Sequence, residues 1–330
     1  MSATIHDVAE EAGVSVATVS HVINETRYVS PELTKKVKQA MDKLGYQRNS
    51  VARSLKTQKT HTIGLIVSDI TNPFFSQLLR GVEKIATSES YTLIICNTDE
   101  TLEKEELYLD VMKQNQVDGF IIAPTGKNDG KLRSFLEQDL PFVFVDRKID
   151  NISAPSVLSE NVKGAKRATE HLLEENHTRI GIVSGLDSVT TTRERIRGHV
   201  EALEKHGITF EESLLKRGNS QVQGGFDAAR RLLKMEEPPT AIFSTNNLMT
   251  IGVMQFLKKE GIKCPTDIAV VSFDDFEWSN AFEPTLTTVA QAPHEIGSKA
   301  AEILFSRIAD SQETKGDVRI PTELIVRGST

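Results

Sequence analysis

Cysteine is nearly absent: the chain has two thiols, Cys96 and Cys264, in 330 residues. With no metal-ligand spacing around either one, they exclude a disulfide-stapled secreted fold and a zinc centre, and they point to a reducing compartment. Cys96 closes an apolar run, so a buried free thiol is expected there. Long apolar runs are also missing. Ile63–Val67 and Leu93–Cys96 are strand-length, far short of the roughly 20 residues that cross a bilayer. Met1 to Asp7 show no basic stretch leading into an apolar one, so no secretion signal is expected and the cytoplasm is. No Gly-x-Gly-x-x-Gly follows the first strand-like run, where Ser68-Asp-Ile-Thr-Asn-Pro-Phe-Phe75 stands instead. Gly126-Lys127 lacks the upstream glycine of a phosphate-cradling loop. A dinucleotide enzyme and an NTPase are therefore disfavoured. His171 and His177 flank a helix end with no nucleophile in a recognisable frame, and they read as surface residues. No catalytic residue, cofactor or metal is expected.

An overall excess of positive charge is lacking as well. The net charge of −7 argues against nucleic acid until its distribution is considered. Residues 1–60 carry nine Lys/Arg against six Asp/Glu, while the remaining 270 carry 30 against 40. A basic head on an acidic body restricts contact with phosphates to one end of the molecule.

Within that head, three short helical patterns appear. Ile5–Glu11 follows Thr4, a candidate N-cap, and puts Ile5, Val8, Ala9 and Ala12 on one face. Gly13 breaks it. Ser15 can cap a second helix, Val16–Ile23, with Val19, Val22 and Ile23 inward. Ser30-Pro31-Glu32 opens a third that stops at Gly45. Helix, glycine turn, helix and a supporting helix make a helix-turn-helix arrangement. The residues left outward on the second helix, Val16, Ala17, Ser20, His21 and Asn24, are small or hydrogen-bonding groups that suit base edges in a major groove. Thr4, Ser15, Thr18 and Tyr28 complete the candidate DNA-contact set of the head. A plain three-helix bundle with a polar face is the bland alternative.

Ile5–Asn24, with Asp-Val-Ala-Glu-Glu-Ala-Gly-Val-Ser-Val-Ala-Thr-Val-Ser inside it, resembles the N-terminal signature of the LacI/GalR family of bacterial repressors, as does Leu44-Gly-Tyr-Gln-Arg-Asn-Ser-Val-Ala-Arg-Ser-Leu55. His21 stands where many relatives carry arginine. The resemblance implies a hinge helix over Ser50–Lys56, capped by Asn49. Seven residues are too few for a stable isolated helix, so ordering on DNA is expected. Asn49, Ser50, Ala52, Arg53 and Leu55 are its candidate DNA contacts, Leu55 as the apolar wedge that opens a minor-groove base step.

From Thr62 onward, strand-like runs alternate with amphipathic segments. Ile63–Val67, Leu93–Cys96, Phe120–Ala123 and Phe142–Val145 form a first set; Ile180–Val183, Ala241–Phe243 and Ala269–Phe273 form a second. Alternating βαβ units build doubly wound parallel sheets. Two sets imply two lobes, with ligands beyond the carboxyl ends of the strands. Those ends carry Asn72, Phe74 and Phe75, then Asp146 and Arg147, then Asn246, Asp274 and Gln291, while Thr191 and Arg195 open a helix. Asp, Asn and Arg suit a hydroxyl rim and aromatic rings suit C–H faces, so the set reads as a monosaccharide site. Asp146 and Asp274 could also pose as the acid–base pair of a sugar enzyme, a rival reading.

The core resembles the type I periplasmic-binding-protein fold of the same family and of sugar-binding proteins. The resemblance places these residues, Thr191 apart, at the positions of ribose-binding relatives' ligand residues. Departures stand at Ala123, Ser220, Asn247 and Ser272-Phe273, and Trp278 is a candidate for the cleft mouth. Ribose-repressor-like and catabolite-control-protein-like members are the two branches it suggests. The second would use a phosphoprotein corepressor, and Glu302 on the last long helix is acidic where such a partner needs basic residues. No leucine heptads follow, so a homodimer is expected.

The expected organisation is an all-α helix-turn-helix domain over 1–46, a hinge helix and linker over 47–61, and an α/β two-lobed core over 62–330. Its N-lobe takes about 62–160 plus 292–320, and its C-lobe about 161–291 plus 321–330. The expected function is a sequence-specific DNA-binding repressor switched by a small sugar-like effector, with no membrane partner.

Overall fold

The computed structural model describes residues 3–24, 27–46, 59–309 and 316–330. The hinge candidates Asn49, Ser50, Ala52, Arg53 and Leu55 lie outside these, as does the side chain of Asn24. Two compact units emerge, Met1–Thr60 and His61–Thr330.

The first unit contains α1 (Ile5–Ala12), α2 (Val16–Asn24) and α3 (Pro31–Leu44). Thr4 caps α1 in a reciprocal box: the Asp7 amide donates to its hydroxyl at 3.3 Å, and its own amide donates to the Asp7 carboxylate at 2.7 Å. Gly13 then takes φ 62°, a left-handed turn that a side chain would strain. Ser15 Oγ accepts the Thr18 amide at 3.1 Å and starts α2. Val8, Val19 and Val37, one from each helix, are fully buried together.

The second unit holds two six-stranded sheets, each covered on both faces by helices. In chain order the first lobe contributes β1 (Thr62–Val67), α4 (Pro73–Ser88), β2 (Thr92–Asn97), α5 (Leu102–Gln114), β3 (Gly119–Ile122), α6 (Asp129–Glu137), β4 (Phe142–Val145) and β5 (Ser156–Ser159). The second lobe follows with α7 (Asn161–Glu174), β6 (Ile180–Ser184), α8 (Thr190–Lys205), β7 (Leu215–Arg217), α9 (Val222–Leu233), β8 (Ala241–Ser244), α10 (Asn247–Glu260), β9 (Ala269–Phe273) and β10 (Thr287–Ala290). The chain returns to the first lobe for α11 (Pro293–Ile308) and β11 (Asp317–Ile320), and ends in the second with β12 (Glu323–Ile325). The sheet orders are β11-β5-β4-β3-β1-β2 and β12-β10-β9-β8-β6-β7. Only the β10–β12 pair is antiparallel among the described strands. Leaving out β11 and β12, the two lobes have the same order, with the reversal between β1 and β3 in one and between β6 and β8 in the other.

Fully buried strands such as β3 and β4, Gly-Phe-Ile-Ile and Phe-Val-Phe-Val, are apolar on both faces because both faces meet helices. β5, β7, β11 and β12 were not foreseen. Each has three or four residues and most carry charge, as Lys216-Arg217, Asp317 and Glu323 do, so pairing rather than composition makes them strands. One expectation is corrected. His171 is buried, its Nε2 2.8 Å from the Thr330 hydroxyl, because α7 packs against the chain's end. His177 is solvent-facing and hydrogen-bonds the Thr240 hydroxyl at 3.0 Å.

Candidate functional site

Between the lobes lies a cleft of about 640 Å³, within the usual range of small-molecule sites. The local structure explains how its side chains arrive there. Asn72 caps α4 by accepting the Phe74 amide at 3.0 Å, and Pro73 occupies the first helical position, so Phe74 and Phe75 emerge directly at the strand end. Their rings meet edge-on at 5.1 Å. Asp146 and Asp274 follow β4 and β9, equivalent strands of the two lobes. Both take left-handed backbone conformations, φ 63° and 78°. Such non-glycine conformations cost about 1–3 kcal/mol and concentrate at functional sites.

The charges here are paired in specific ways. Arg147 is buried and donates from Nη2 to Glu100 Oε1 at 2.8 Å, with its Nε 3.7 Å from Asp146 Oδ2. Burial pushes the Asp146 carboxyl up to about 6, against the pull of Arg147 and Arg195; the nearby Asp274 and Glu100 add to the rise. Asp274 accepts from the Asn247 amide at 3.1 Å on Oδ2 and from the Gln291 side chain on Oδ1. Arg195 on α8 is held by Asn161 Oδ1 at 2.9 Å and by the Thr245 carbonyl at 2.6 Å. Its guanidinium lies 3.8 Å over the Phe273 ring, a cation–π contact that also fixes its plane.

Asn72, Phe74, Phe75, Asp146, Arg147, Thr191, Arg195, Asn246, Asp274 and Gln291 all line this one cleft, although they come from six separate stretches of chain. Asp275, adjacent to Asp274, turns away to a bidentate pair with Arg327 at 2.8 and 3.0 Å. Trp278 packs on Phe276 and Phe282 and is not part of the lining. Sequence reasoning missed Asp69, Asp99, Glu100 and Lys127, which also line the cleft. They sit in loops with no motif, and only the need of a buried arginine for an acid would have pointed to Glu100. Among the described residues no His/Cys/Asp/Glu group could hold a metal ion, and no helix is long and apolar enough to cross a membrane.

In the head, Ala17 and Ser15 are exposed, and Ser20 and His21 half-exposed. Val16 is half-buried and packs against the head core, so only part of it faces outward. The Ser15 and Thr18 hydroxyls bond each other at 2.9 Å, and the Thr4 hydroxyl donates to Asp7 at 2.8 Å. Tyr28 is 89% exposed, an unusual position for a large aromatic.

Comparison with known proteins agrees with this architecture. Residues 60–327 match the profile of periplasmic binding proteins and the sugar-binding domain of the LacI family, and residues 4–49 match that of bacterial regulatory proteins of the lacI family. The HTH-type transcriptional repressor PurR of Vibrio atlanticus is 38% identical over 329 residues, covering 99% of this chain and 98% of that protein. The lac repressor dimer bound to operator and the anti-inducer ONPF superposes with a TM-score of 0.89 at 26% identity, covering 100% of this chain and 99% of that one. A LacI-family transcriptional regulator from Enterococcus faecium with bound ribose gives 0.74 at 31% identity, covering 82% and 98%. A helix-turn-helix head followed by a two-lobed α/β ligand-binding core defines a DNA-binding transcriptional regulator, not an enzyme. The chain belongs to the LacI family.

Proposed function

We propose that this chain is a cytoplasmic, homodimeric repressor that binds operator DNA through its head and hinge and is released by a monosaccharide or a close derivative bound between its lobes. The observation that carries the ligand half is the cleft: two aromatic rings, five carboxylates, two guanidinium groups and five side-chain amides line one space of about 640 Å³. That donor and acceptor set matches a ring of hydroxyls. Five acidic side chains line the cleft, Asp69, Asp99, Glu100, Asp146 and Asp274, against three basic ones, Lys127, Arg147 and Arg195, so a neutral sugar suits it better than a phosphorylated one. Ribose in the Enterococcus faecium relative supports the same class. DNA contact is assigned to Thr4, Ser15, Val16, Ala17, Thr18, Ser20, His21, Asn24 and Tyr28 of the head and to Asn49, Ser50, Ala52, Arg53 and Leu55 of the hinge. A phosphoprotein corepressor is not favoured.

The test is a thermal-shift screen of pentoses, hexoses, their phosphates and nucleosides, followed by operator binding with each hit. A ligand at 100 times its Kd stabilises the native state by about 2.7 kcal/mol. A pentose or hexose should raise the melting temperature and weaken operator binding. If no sugar stabilises the protein, or if a stabilising sugar leaves operator affinity unchanged, the proposal fails.

A further inference from the structure

Asn72 and Asn247 face each other from opposite lobes. Asn72 caps α4 of the first lobe, and Asn247 opens α10 of the second, 175 residues away. Their side-chain amides exchange two hydrogen bonds: Asn247 Nδ2 donates to Asn72 Oδ1 at 2.7 Å, and Asn72 Nδ2 donates to Asn247 Oδ1 at 3.2 Å. Both residues are buried, Asn247 completely. A reciprocal amide pair requires two bonds in register, so a shift of about 1 Å between the lobes takes both out of range.

Each partner is anchored in its own lobe. Asn72 Oδ1 also accepts the Phe74 amide, and Asn247 Oδ1 accepts the Leu248 amide at 2.7 Å. The Asn247 amide donates to Asp274, whose other oxygen takes the Gln291 side chain. Gln291 in turn accepts from Ser159, so one polar chain runs from a crossover segment to the amide pair. Asn247 does not line the main cleft. It borders a narrow crevice behind it, between Pro73 and Phe74 of one lobe and Asp274 and Phe276 of the other.

Other bonds between the lobes are of different kinds: the Lys148 amide donates to the Thr190 hydroxyl and the Ser188 hydroxyl to the Thr125 carbonyl, each a single bond of 3.2 Å. Arg193–Asp150, at 2.6 Å, is an exposed ion pair, and such pairs contribute little. Arg319–Glu194 joins β11 to α8 beside the crossover segments, where the lobes can still pivot. The amide pair is buried and uncharged, and it adjoins the carboxylate assigned to the effector.

We infer that the Asn72–Asn247 pair is a clasp that holds the lobes closed, and that Asn247 is a positioning residue tying this closure to whatever occupies Asp274. The link to the effector rests on the ligand reading above; the clasp itself does not. Asn72 is then a closure residue first, because its carbonyl oxygen already serves its own helix and the opposite lobe.

The single tryptophan, Trp278, provides a ligand-free readout. It stacks on Phe276 with ring centroids 3.6 Å apart, and Phe276 borders the crevice. In the full chain, Asn247→Ala and Asn72→Ser are compared by acrylamide quenching. Serine keeps the helix cap but is too short to cross to the other lobe. Each variant should raise the quenching constant about twofold, and the double variant should go no further than either single, since both remove the same interaction. Quenching equal to wild type in Asn72→Ser, or additive effects in the double variant, would overturn the clasp. In a second arm ribose is the probe: the concentration giving half-maximal operator release should rise about fivefold in Asn247→Ala, whose side chain lies outside the cleft, the scale of one net hydrogen bond. Altered quenching with an unchanged ribose response would overturn the coupling. No release of wild type by ribose would count against the ligand reading, leaving the quenching comparison to decide the clasp.

Discussion

His199 and Asp146 are buried titratable groups whose effects on stability oppose each other. His199 is fully buried, near the rings of Phe210 and Phe243, with Nδ1 2.9 Å from the Thr169 hydroxyl. Burial pushes its imidazole down to about 4, whereas unfolded it titrates near 6.5. The folded state therefore binds fewer protons between these values, and stability is lost as pH falls from 6.5 towards 4. Asp146 is raised to about 6 from about 3.9 in the unfolded chain, so it contributes stability as pH falls through the same interval. Asn suits the left-handed backbone of Asp146, which makes Asp146→Asn a clean probe. Its melting temperature should decline more steeply than wild type between pH 6.5 and 4.5, and equal slopes in calorimetry would contradict the assignment. Arg195→Ala removes a cleft cation and leaves Asn161 Oδ1 and the Thr245 carbonyl without that donor, at a cost of about 1–3 kcal/mol. The effector-induced thermal shift should vanish while operator affinity stays within about twofold. A normal effector response would remove Arg195 from the site.

Helix α11 reaches the first lobe after about 130 residues spent in the second, and it packs on α4 through two glycines. A Cβ on Gly81 would lie 2.1 Å from the His294 carbonyl oxygen, and one on Gly297 would lie 2.1 Å from that of Leu78. Neither contact can relax by a rotamer change, because both neighbours are backbone. Gly297→Ala should therefore destabilise the core by about 1–3 kcal/mol through overpacking, seen as a lower denaturant midpoint at unchanged slope. An unchanged midpoint would mean the helices can separate at no cost. At this scale the sequence was legible wherever apolar runs were long enough, as in Ile180–Val183 and Ala269–Phe273. It was illegible at β7 and β11, where Lys216, Arg217 and Asp317 belong to short edge strands. It also misled at His171, which looks like a solvated helix end and is covered by Thr330.

The molecule divides its charge between its two units, and the division predicts how they behave apart. A protein comprising residues 61–330 should keep the core's cooperative melting and its effector-induced shift, because both lobes lie within one compact unit. It should lose operator binding entirely, since the basic excess and all the candidate DNA contacts lie before residue 61. Gel-shift titration and calorimetry check both halves. Operator binding by this fragment would show that the body carries DNA contacts of its own.

Periodicity, capping residues and turn chemistry act over a few neighbouring residues, so the sequence alone determined the helix-turn-helix head, the repeated strand–helix alternation and the polar and aromatic character of the strand ends. The two αL aspartates, the Arg147–Glu100 and Asp275–Arg327 pairings and the Asn72–Asn247 contact were decided only by tertiary structure. Each joins residues whose proximity follows from strand order and lobe approach, and no local pattern encodes a distance across 47, 52 or 175 residues.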